Sequence, residues 1–186
     1  KERIQVYFID NDEYFKRKQF YIDDEGKPFT DNDERAIFFA RGVIETIKEG
    51  KDITLVSYGS TLRIVEQAAK ELLENGIDAE IIDIQSLLPF DISHDIVKSV
   101  AKTNRLLVID EDVPGGASAF ILQEIIENQN AYKHLDSAPQ TLTAKAHRPS
   151  YGTDGDYFSK PSAEDIFEKV YSIMHESNPV DYPKLR

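Results

Sequence analysis

Residues 53–58 read Ile-Thr-Leu-Val-Ser-Tyr and are followed by Gly59, so a run rich in β-branched and apolar residues ends at a glycine. Two similar runs follow, Ala-Glu-Ile-Ile-Asp-Ile at 79–84 and Arg-Leu-Leu-Val-Ile at 105–109. The third is nearly continuous in hydrophobicity, which is typical of a strand covered on both faces. These runs predict the strands of a buried sheet.

Segments with helical periodicity separate the runs. The pattern predicts helices over 61–75, 93–103, 116–128 and 162–176, and a short strand over 141–144. Gly76 is placed to end the first helix, and Ser162 with Asp165 forms a capping-box start for the last. Alternating strands and helices predict a three-layer α/β/α fold with a mostly parallel sheet of about five strands.

The chain before residue 50 has a different character. Residues 4–9 read as a strand, a polar stretch covers 10–33, and a helix is expected to begin at Asp31 or Asn32. We therefore expect three parts: a strand-plus-helix segment at 1–50, the α/β domain at 51–178 and an extended tail at 179–186.

Composition excludes several classes of protein. Lys and Arg number 22 and Asp and Glu number 34, so the net charge is −12, which argues against binding a nucleic-acid backbone. The chain has no cysteine, which excludes a disulfide framework, a thiolate zinc site and a cysteine nucleophile. No apolar run is long enough to span a membrane, and no signal peptide is visible at the start, so a cytoplasmic location is expected.

The end of the third strand carries the strongest acidic cluster. Asp110, Glu111 and Asp112 follow it directly, and Gly115 and Gly116 then begin a helix. Three carboxylates at a strand end could act as acid, base or metal ligands. On the structural alternative, one of them caps backbone N–H groups and the others are solvated. The glycines lack phosphate-loop spacing, so the cluster is interpreted as structural or as a partner contact.

A second candidate surface surrounds His147. Arg148 follows it and Tyr151 is close, in a loop rich in polar and aromatic groups. The four histidines lack metal-ligand spacing, and the serines near Gly59 do not form a nucleophile elbow. The sequence therefore contains no complete catalytic constellation.

Residues 51–179 resemble the C-terminal domain of the β part of 2-oxo acid dehydrogenase E1 components, of the transketolase C-terminal fold. The resemblance rests on residues 52–59 and 76–84, on Leu-Leu-Pro-Phe-Asp at 87–91, on 99–105, on Glu111 with Gly115-Gly116-Ala117, and on 160–166. The branched-chain (2-oxoisovalerate) type is expected, and the pyruvate enzymes share the pattern.

This resemblance implies part of a thiamine diphosphate enzyme that decarboxylates a 2-oxo acid and reductively acylates a lipoyl domain. The cofactor, with magnesium, is expected in the full enzyme and not on this chain, which would have no activity alone. Implied partners are the E1 α part or remaining E1 domains, a second β part in a homodimer, and the basic E2 peripheral subunit-binding domain. The residues expected to contact a partner are Glu111, Asp112, Gly115, Gly116, His147, Arg148 and Tyr151.

Residues 1–48 resemble a piece of the N-terminal half of bacterial glycogen or starch synthases, through residues 6–11 and 31–42. The family's Lys-x-Gly-Gly motif and nucleotide-binding half are missing, so glycosyl transfer is not implied. Three functions therefore remain open: an E1 domain acting in assembly, a stand-alone α/β module for a small ligand, and a glycosyltransferase fragment. A divergent E1 linker is the structural alternative for residues 1–50.

Overall fold

The computed structural model describes residues 25, 27, 28, 30, 48–148, 151, 152 and 154–184, with only the backbone of Asp156. The strand expected at 4–9 and the helix expected from Asp31 or Asn32 lie outside these residues. The chain divides into two compact units, Lys1–Thr46 and Ile47–Arg186. The second unit contains all the strands and helices given below.

Strands and helices alternate along the second unit, as the periodicity predicts. They are β1 Ile53–Ser57, α1 Leu62–Glu74, β2 Ala79–Asp83, α2 Asp95–Thr103, β3 Leu106–Ile109, α3 Ala117–Gln123, β4 Gln140–Leu142, α4 Gly155–Ser159 and α5 Ala163–Ser177. A π-helical turn, Glu124–Asn128, extends α3, and a 3₁₀ turn, Ala131–His134, precedes β4.

The four strands form one sheet in the order β2-β1-β3-β4, and every pair is parallel. β1 and β3 lie inside the sheet and are fully buried, which explains the continuous hydrophobicity of β3. The described residues therefore contain four strands where the sequence suggests about five; one of the five candidates, 4–9, lies outside them.

Helices cover both faces of the sheet, which confirms the three-layer α/β/α architecture. The main core lies between the sheet and the pair α1 and α5. It includes Ile53 and Leu55 from β1, Leu72 from α1, and Ile166 and Ile173 from α5, each 0% exposed. Helices α2 and α3 pack on the opposite face, against β1 and β3.

Two predicted helix ends are confirmed, because the residues have the required chemistry. Gly76 follows α1 with φ +80°, a left-handed conformation that glycine adopts without steric cost. Ser162 accepts a hydrogen bond from the Asp165 backbone N–H at 3.1 Å, and the Asp165 carboxylate accepts one from the Ser162 N–H at 2.9 Å. The chain therefore enters α5 in a fixed direction.

The residues before β1 pack against the edge strand β2. The Lys48 carbonyl accepts a hydrogen bond from the Ile81 N–H at 3.2 Å, and the Gly50 N–H donates to Glu80 Oε2 at 3.0 Å. A Cβ on Gly50 would lie 2.3 Å from backbone atoms of Ala79 and Glu80. Only glycine fits this approach, so residues 48–50 are structurally continuous with the sheet.

Other boundaries differ from the sequence expectation. The helix expected over 116–128 changes to π geometry at Glu124, and α2 begins after His94, which has φ +55°. The tail, expected to be extended, turns over 179–181, and the Tyr182 ring packs edge-on against Tyr171 at 6.0 Å.

Candidate partner-binding surface

The carboxyl ends of the four parallel strands lie along one edge of the sheet, where open α/β sheets bind their ligands. Residues 58–61, 85–94, 110–116 and 143–148 follow the strands there. The sequence-predicted residues fall in two of these segments. Glu111, Asp112, Gly115 and Gly116 follow β3, and His147 and Arg148 follow β4, with Tyr151 shortly after.

Asp110 organises the segment after β3 and is itself completely buried. Its Oδ1 accepts hydrogen bonds from Tyr58 Oη at 2.5 Å and the Asp112 N–H at 2.9 Å, and its Oδ2 accepts one from the Ser118 N–H at 2.9 Å. Ser118 lies in the first turn of α3, so Asp110 caps that helix from outside it. The structural alternative for one of the three carboxylates is thus confirmed. Burial raises the pKa of the Tyr58 hydroxyl, and the adjacent Asp110 carboxylate raises it further.

Glu111 is half-exposed and already has two partners. Its Oε2 accepts a hydrogen bond from Ser60 Oγ at 3.0 Å and forms an ion pair with Lys160 Nζ at 3.2 Å. An ion pair this exposed contributes at most about 1 kcal/mol, so it can open when another cation approaches. Neither Ser60 nor Lys160 was singled out by sequence reasoning, because their proximity depends on how α5 and the segment after β1 pack.

Two cavities adjoin this ion pair. A cavity of about 190 Å³ is lined by Ser60, Thr61, Ile64, Glu111, Lys160 and Pro161. A cavity of about 330 Å³ shares Ile64, Lys160 and Pro161 with it and continues along the first turn of α5. The surface beside Glu111 is therefore concave.

Asp112 is exposed, and the two glycines shape the turn around it. A Cβ on Gly116 would lie 2.6 Å from Asp112 Oδ2, and Gly115 has φ +92°. The Asp112 carbonyl accepts a hydrogen bond from the Ala144 N–H at 2.9 Å, which ties this turn to the segment after β4. We call Glu111 and Asp112 the acidic turn. Glycine at 116 lets the Asp112 side chain lie against the start of α3.

The segment after β4 places basic and aromatic side chains together. His147 Nδ1 lies 2.7 Å from the Arg148 carbonyl oxygen, and the Arg148 guanidinium lies 5.0 Å from the centre of the Tyr151 ring. Arg148 also contacts the Tyr151 hydroxyl. The Tyr151 side chain is 84% exposed. The seven predicted residues therefore form two groups at one edge of the sheet: an acidic group after β3 and a basic, aromatic group after β4.

Asp83 ends β2 at the same edge and was not singled out from the sequence. Its Oδ2 accepts a hydrogen bond from Gln85, but its buried Oδ1 has no partner among the described residues. Burial raises the pKa of Asp83, and the negative charge of Glu66 acts in the same direction, against the hydrogen bond from Gln85. In the sequence, Asp83 is only an Asp near the end of a predicted strand, as Asp110 is. The sequence therefore does not show that Asp83 lacks the hydrogen-bond donors that surround Asp110.

The fold and the sequence both agree with one known family. The profile of the family described as "Transketolase, C-terminal domain" matches residues 42–166. The chain belongs to this family. The match includes all four strands, α1 to α4 and the acidic turn.

Curated relatives carry E1 names. "Pyruvate dehydrogenase E1 component subunit beta" of Mesostigma viride is 36% identical over 130 residues, which are 70% of this chain and 39% of that protein. The protein of the same name from Rhizobium meliloti is 30% identical over 129 residues, covering 69% of this chain and 28% of its own. A chloroplastic counterpart from Arabidopsis thaliana is 39% identical over 102 residues, which are 54% of this chain and 24% of that protein. The matched part of this chain therefore spans about two fifths or less of the length of each of these relatives.

A solved structure shares the fold. It is described as "Split gene transketolase, inactive beta4 tetramer" and superposes with a TM-score of 0.53 at 22% identity, covering 68% of this chain and 39% of that one.

A second profile, "Starch synthase catalytic domain", matches residues 1–58. The resemblance of the first 48 residues to such synthases is thus found as a short match, which overlaps the transketolase match over 42–58.

The acidic edge does not fit a diphosphate and its magnesium. Asp110 is fully engaged by three donors, and Glu111 is held by Ser60 and Lys160. Within the described ranges, no three His, Asp or Glu side chains group as metal ligands.

In the same part of the chain, no helix is both long and apolar enough to cross a membrane.

Proposed function

We propose that this chain supplies the C-terminal domain of the β part of a 2-oxo acid dehydrogenase E1 component, and that the domain serves assembly and docking rather than the chemical step. The observation that carries the proposal is the family match over 42–166, on a domain whose buried strand-end carboxylate Asp110 caps a helix. Thiamine diphosphate with magnesium would be held by the remaining E1 domains.

Pyruvate is the favoured substrate of the complete enzyme. The curated relatives are named for pyruvate, and these names do not support the branched-chain type expected from the sequence. The chain would pair with an E1 α part and with a second β part. A cytoplasmic location is part of the same proposal; the Arabidopsis relative is named chloroplastic.

The acidic turn is the proposed contact for the basic peripheral subunit-binding domain of E2. Glu111 and Asp112 stand at an exposed strand end beside the two cavities, and the chain carries a net charge of −12. Opposite charges on two partners accelerate their association and set their orientation. Lys160 holds Glu111 in the free domain, and a partner cation would compete for the same oxygen.

Calorimetric titration of the full chain tests the proposal. We expect saturable heat with an E2 peripheral subunit-binding domain, and none with thiamine diphosphate and magnesium. Heat with the cofactor would place cofactor binding on this chain. No heat with any E2 domain would favour a stand-alone ligand module that uses the two cavities.

A further inference from the structure

The segment before and after β4 differs in charge from the rest of the chain. Residues 137–153 contain no Asp or Glu, the longest such stretch in a sequence with 34 acidic residues. Lys145, His147 and Arg148 lie within it. A concentration of basic side chains therefore lies at this edge, next to the acidic turn, to which the Ala144 N–H is hydrogen-bonded.

Aromatic rings hold two of these cations in place. Lys145 Nζ lies 3.9 Å from the centre of the Phe158 ring, and the His147 ring lies 5.7 Å from the same ring. The Arg148 guanidinium lies 5.0 Å from the centre of the Tyr151 ring. Cation–π pairing restrains a long side chain without neutralising its charge, so both cations remain able to meet an anion.

These side chains face solvent on an anchored backbone. Phe158 is 56% exposed, and Tyr151 more so. The Lys145 N–H donates to the Ser159 carbonyl at 2.9 Å, and the His147 N–H donates to the Lys145 carbonyl at 2.8 Å. We call Lys145, His147, Arg148, Tyr151 and Phe158 the basic–aromatic patch.

We propose that the basic–aromatic patch binds an acidic segment of a partner protein, at a site separate from the acidic turn. A partner carboxylate gains charge-assisted hydrogen bonds from Lys145 and Arg148, and exposed rings provide apolar contact for the segment between its carboxylates. A basic partner such as the E2 domain would be repelled here. The two surfaces therefore select partners of opposite charge.

A protein segment suits the patch better than a nucleic acid. The chain as a whole is strongly negative, and binding a phosphate backbone needs many Lys and Arg contacts. A short acidic peptide needs only the few cations that the patch supplies.

Fluorescence anisotropy with a labelled octaglutamate peptide tests the proposal at low salt on the full chain. The variant Lys145→Ala/Arg148→Ala should bind about tenfold more weakly, since each lost ion pair is worth up to about fivefold. The matched control Lys70→Ala/Lys133→Ala removes the same charge from exposed lysines on α1 and on the 3₁₀ turn before β4, and should change affinity by less than about twofold.

Further measurements separate the alternatives. Equal weakening in both double variants would show that only net charge matters and would overturn the proposal, as would no binding of the peptide by the wild type. Tighter binding of a labelled single-stranded oligonucleotide than of the peptide would replace it with a nucleic-acid site. Titration of the E2 domain into Lys145→Ala/Arg148→Ala should give binding no weaker than in the wild type, so this inference and the proposed function can fail independently.

Discussion

Asp83 ends β2 and Asp110 directly follows β3, at the same edge of the sheet with β1 between the two strands, yet the surroundings of the two carboxylates are opposite. Asp110 receives three hydrogen bonds and caps α3, whereas Asp83 receives one and leaves its Oδ1 buried without a partner in the described structure. Their exposures are 0% and 5%, so burial alone does not distinguish them. A buried carboxylate at a strand end therefore stabilises this fold only where hydrogen-bond donors meet both of its oxygens.

The donors differ because the chain continues differently after the two strands. After β3 it turns at Gly115 and enters α3, which brings the Ser118 N–H to Asp110. After β2 it runs through residues 85–94 before α2 begins, and the backbone N–H groups at the start of α2 meet Asp91 instead, at 2.8 and 3.0 Å. Asp83 is left with the Gln85 side chain.

Replacing Asp110 should give the largest effect on stability. In Asp110→Asn the amide NH₂ would face an N–H or O–H donor, so at least one buried donor loses its acceptor. We expect a loss of about 2–3 kcal/mol in the free energy of unfolding, measured by urea denaturation.

The neighbouring Asp112→Asn provides the control, because this side chain is exposed and should cost less than about 0.5 kcal/mol. Equal losses in the two variants would mean that Asp110 does not hold the turn.

Replacing Asp83 should increase the free energy of unfolding instead of lowering it, by an amount that depends on pH. The folded state raises the pKa of Asp83, so between its ordinary and its raised pKa the folded protein binds more protons than the unfolded chain. Its contribution to stability is therefore present at low pH and is lost as pH rises through the folded pKa. We expect Asp83→Asn to be more stable than wild type by about 1 kcal/mol at neutral pH, because a neutral amide costs less to bury than a carboxylate.

Urea denaturation at a series of pH values checks this, with Glu168→Gln, an exposed carboxylate on α5, as the control for lost charge. The stability difference should shrink as pH falls through the raised pKa of folded Asp83, and be smallest below about pH 4, where an ordinary Asp is also protonated. A difference that does not change with pH would contradict the account of Asp83.

Removing the Tyr58 hydroxyl should give the smallest effect. Tyr58→Phe leaves Asp110 with its two backbone donors, and Tyr58 is only partly buried, so water can replace the lost donor. We expect a loss of about 0.5 kcal/mol in the free energy of unfolding. The exposed Tyr132→Phe should be neutral, and a Tyr58→Phe loss as large as that of Asp110→Asn would make the hydroxyl, not the backbone, the main partner.

Much of the fold follows from periodicity and end signals. The β1 and β3 runs, Gly76 and the Ser162–Asp165 box each specify local structure that tertiary packing preserves. The sequence pattern did not predict three short elements, namely the π turn after α3, the 3₁₀ turn and α4. Segments this short have too few residues to show a hydrophobic period of their own.

The site was predictable only in part. The sequence placed Glu111 and Asp112 at a strand end and anticipated a capping carboxylate there. It could not assign that role to Asp110, or bring Tyr58, Ser60 and Lys160 to the cluster, because those contacts join segments about 50 residues apart. Nor could it show that Lys145 and Phe158 meet beside Arg148 and Tyr151.

Charge reversal of the acidic turn is the sharpest test of the proposed docking to E2. Binding of the E2 peripheral subunit-binding domain is measured by calorimetry for wild type, for Glu111→Lys/Asp112→Lys and for the control Glu74→Lys/Glu168→Lys, which reverses exposed charges on α1 and α5. We expect the acidic-turn variant to lose binding by about tenfold or more while its melting temperature stays within a few degrees of wild type, because the exposed Glu111–Lys160 ion pair contributes little to stability. The control should bind within about threefold of wild type. Unchanged E2 binding in Glu111→Lys/Asp112→Lys would show that the acidic turn is not the docking surface.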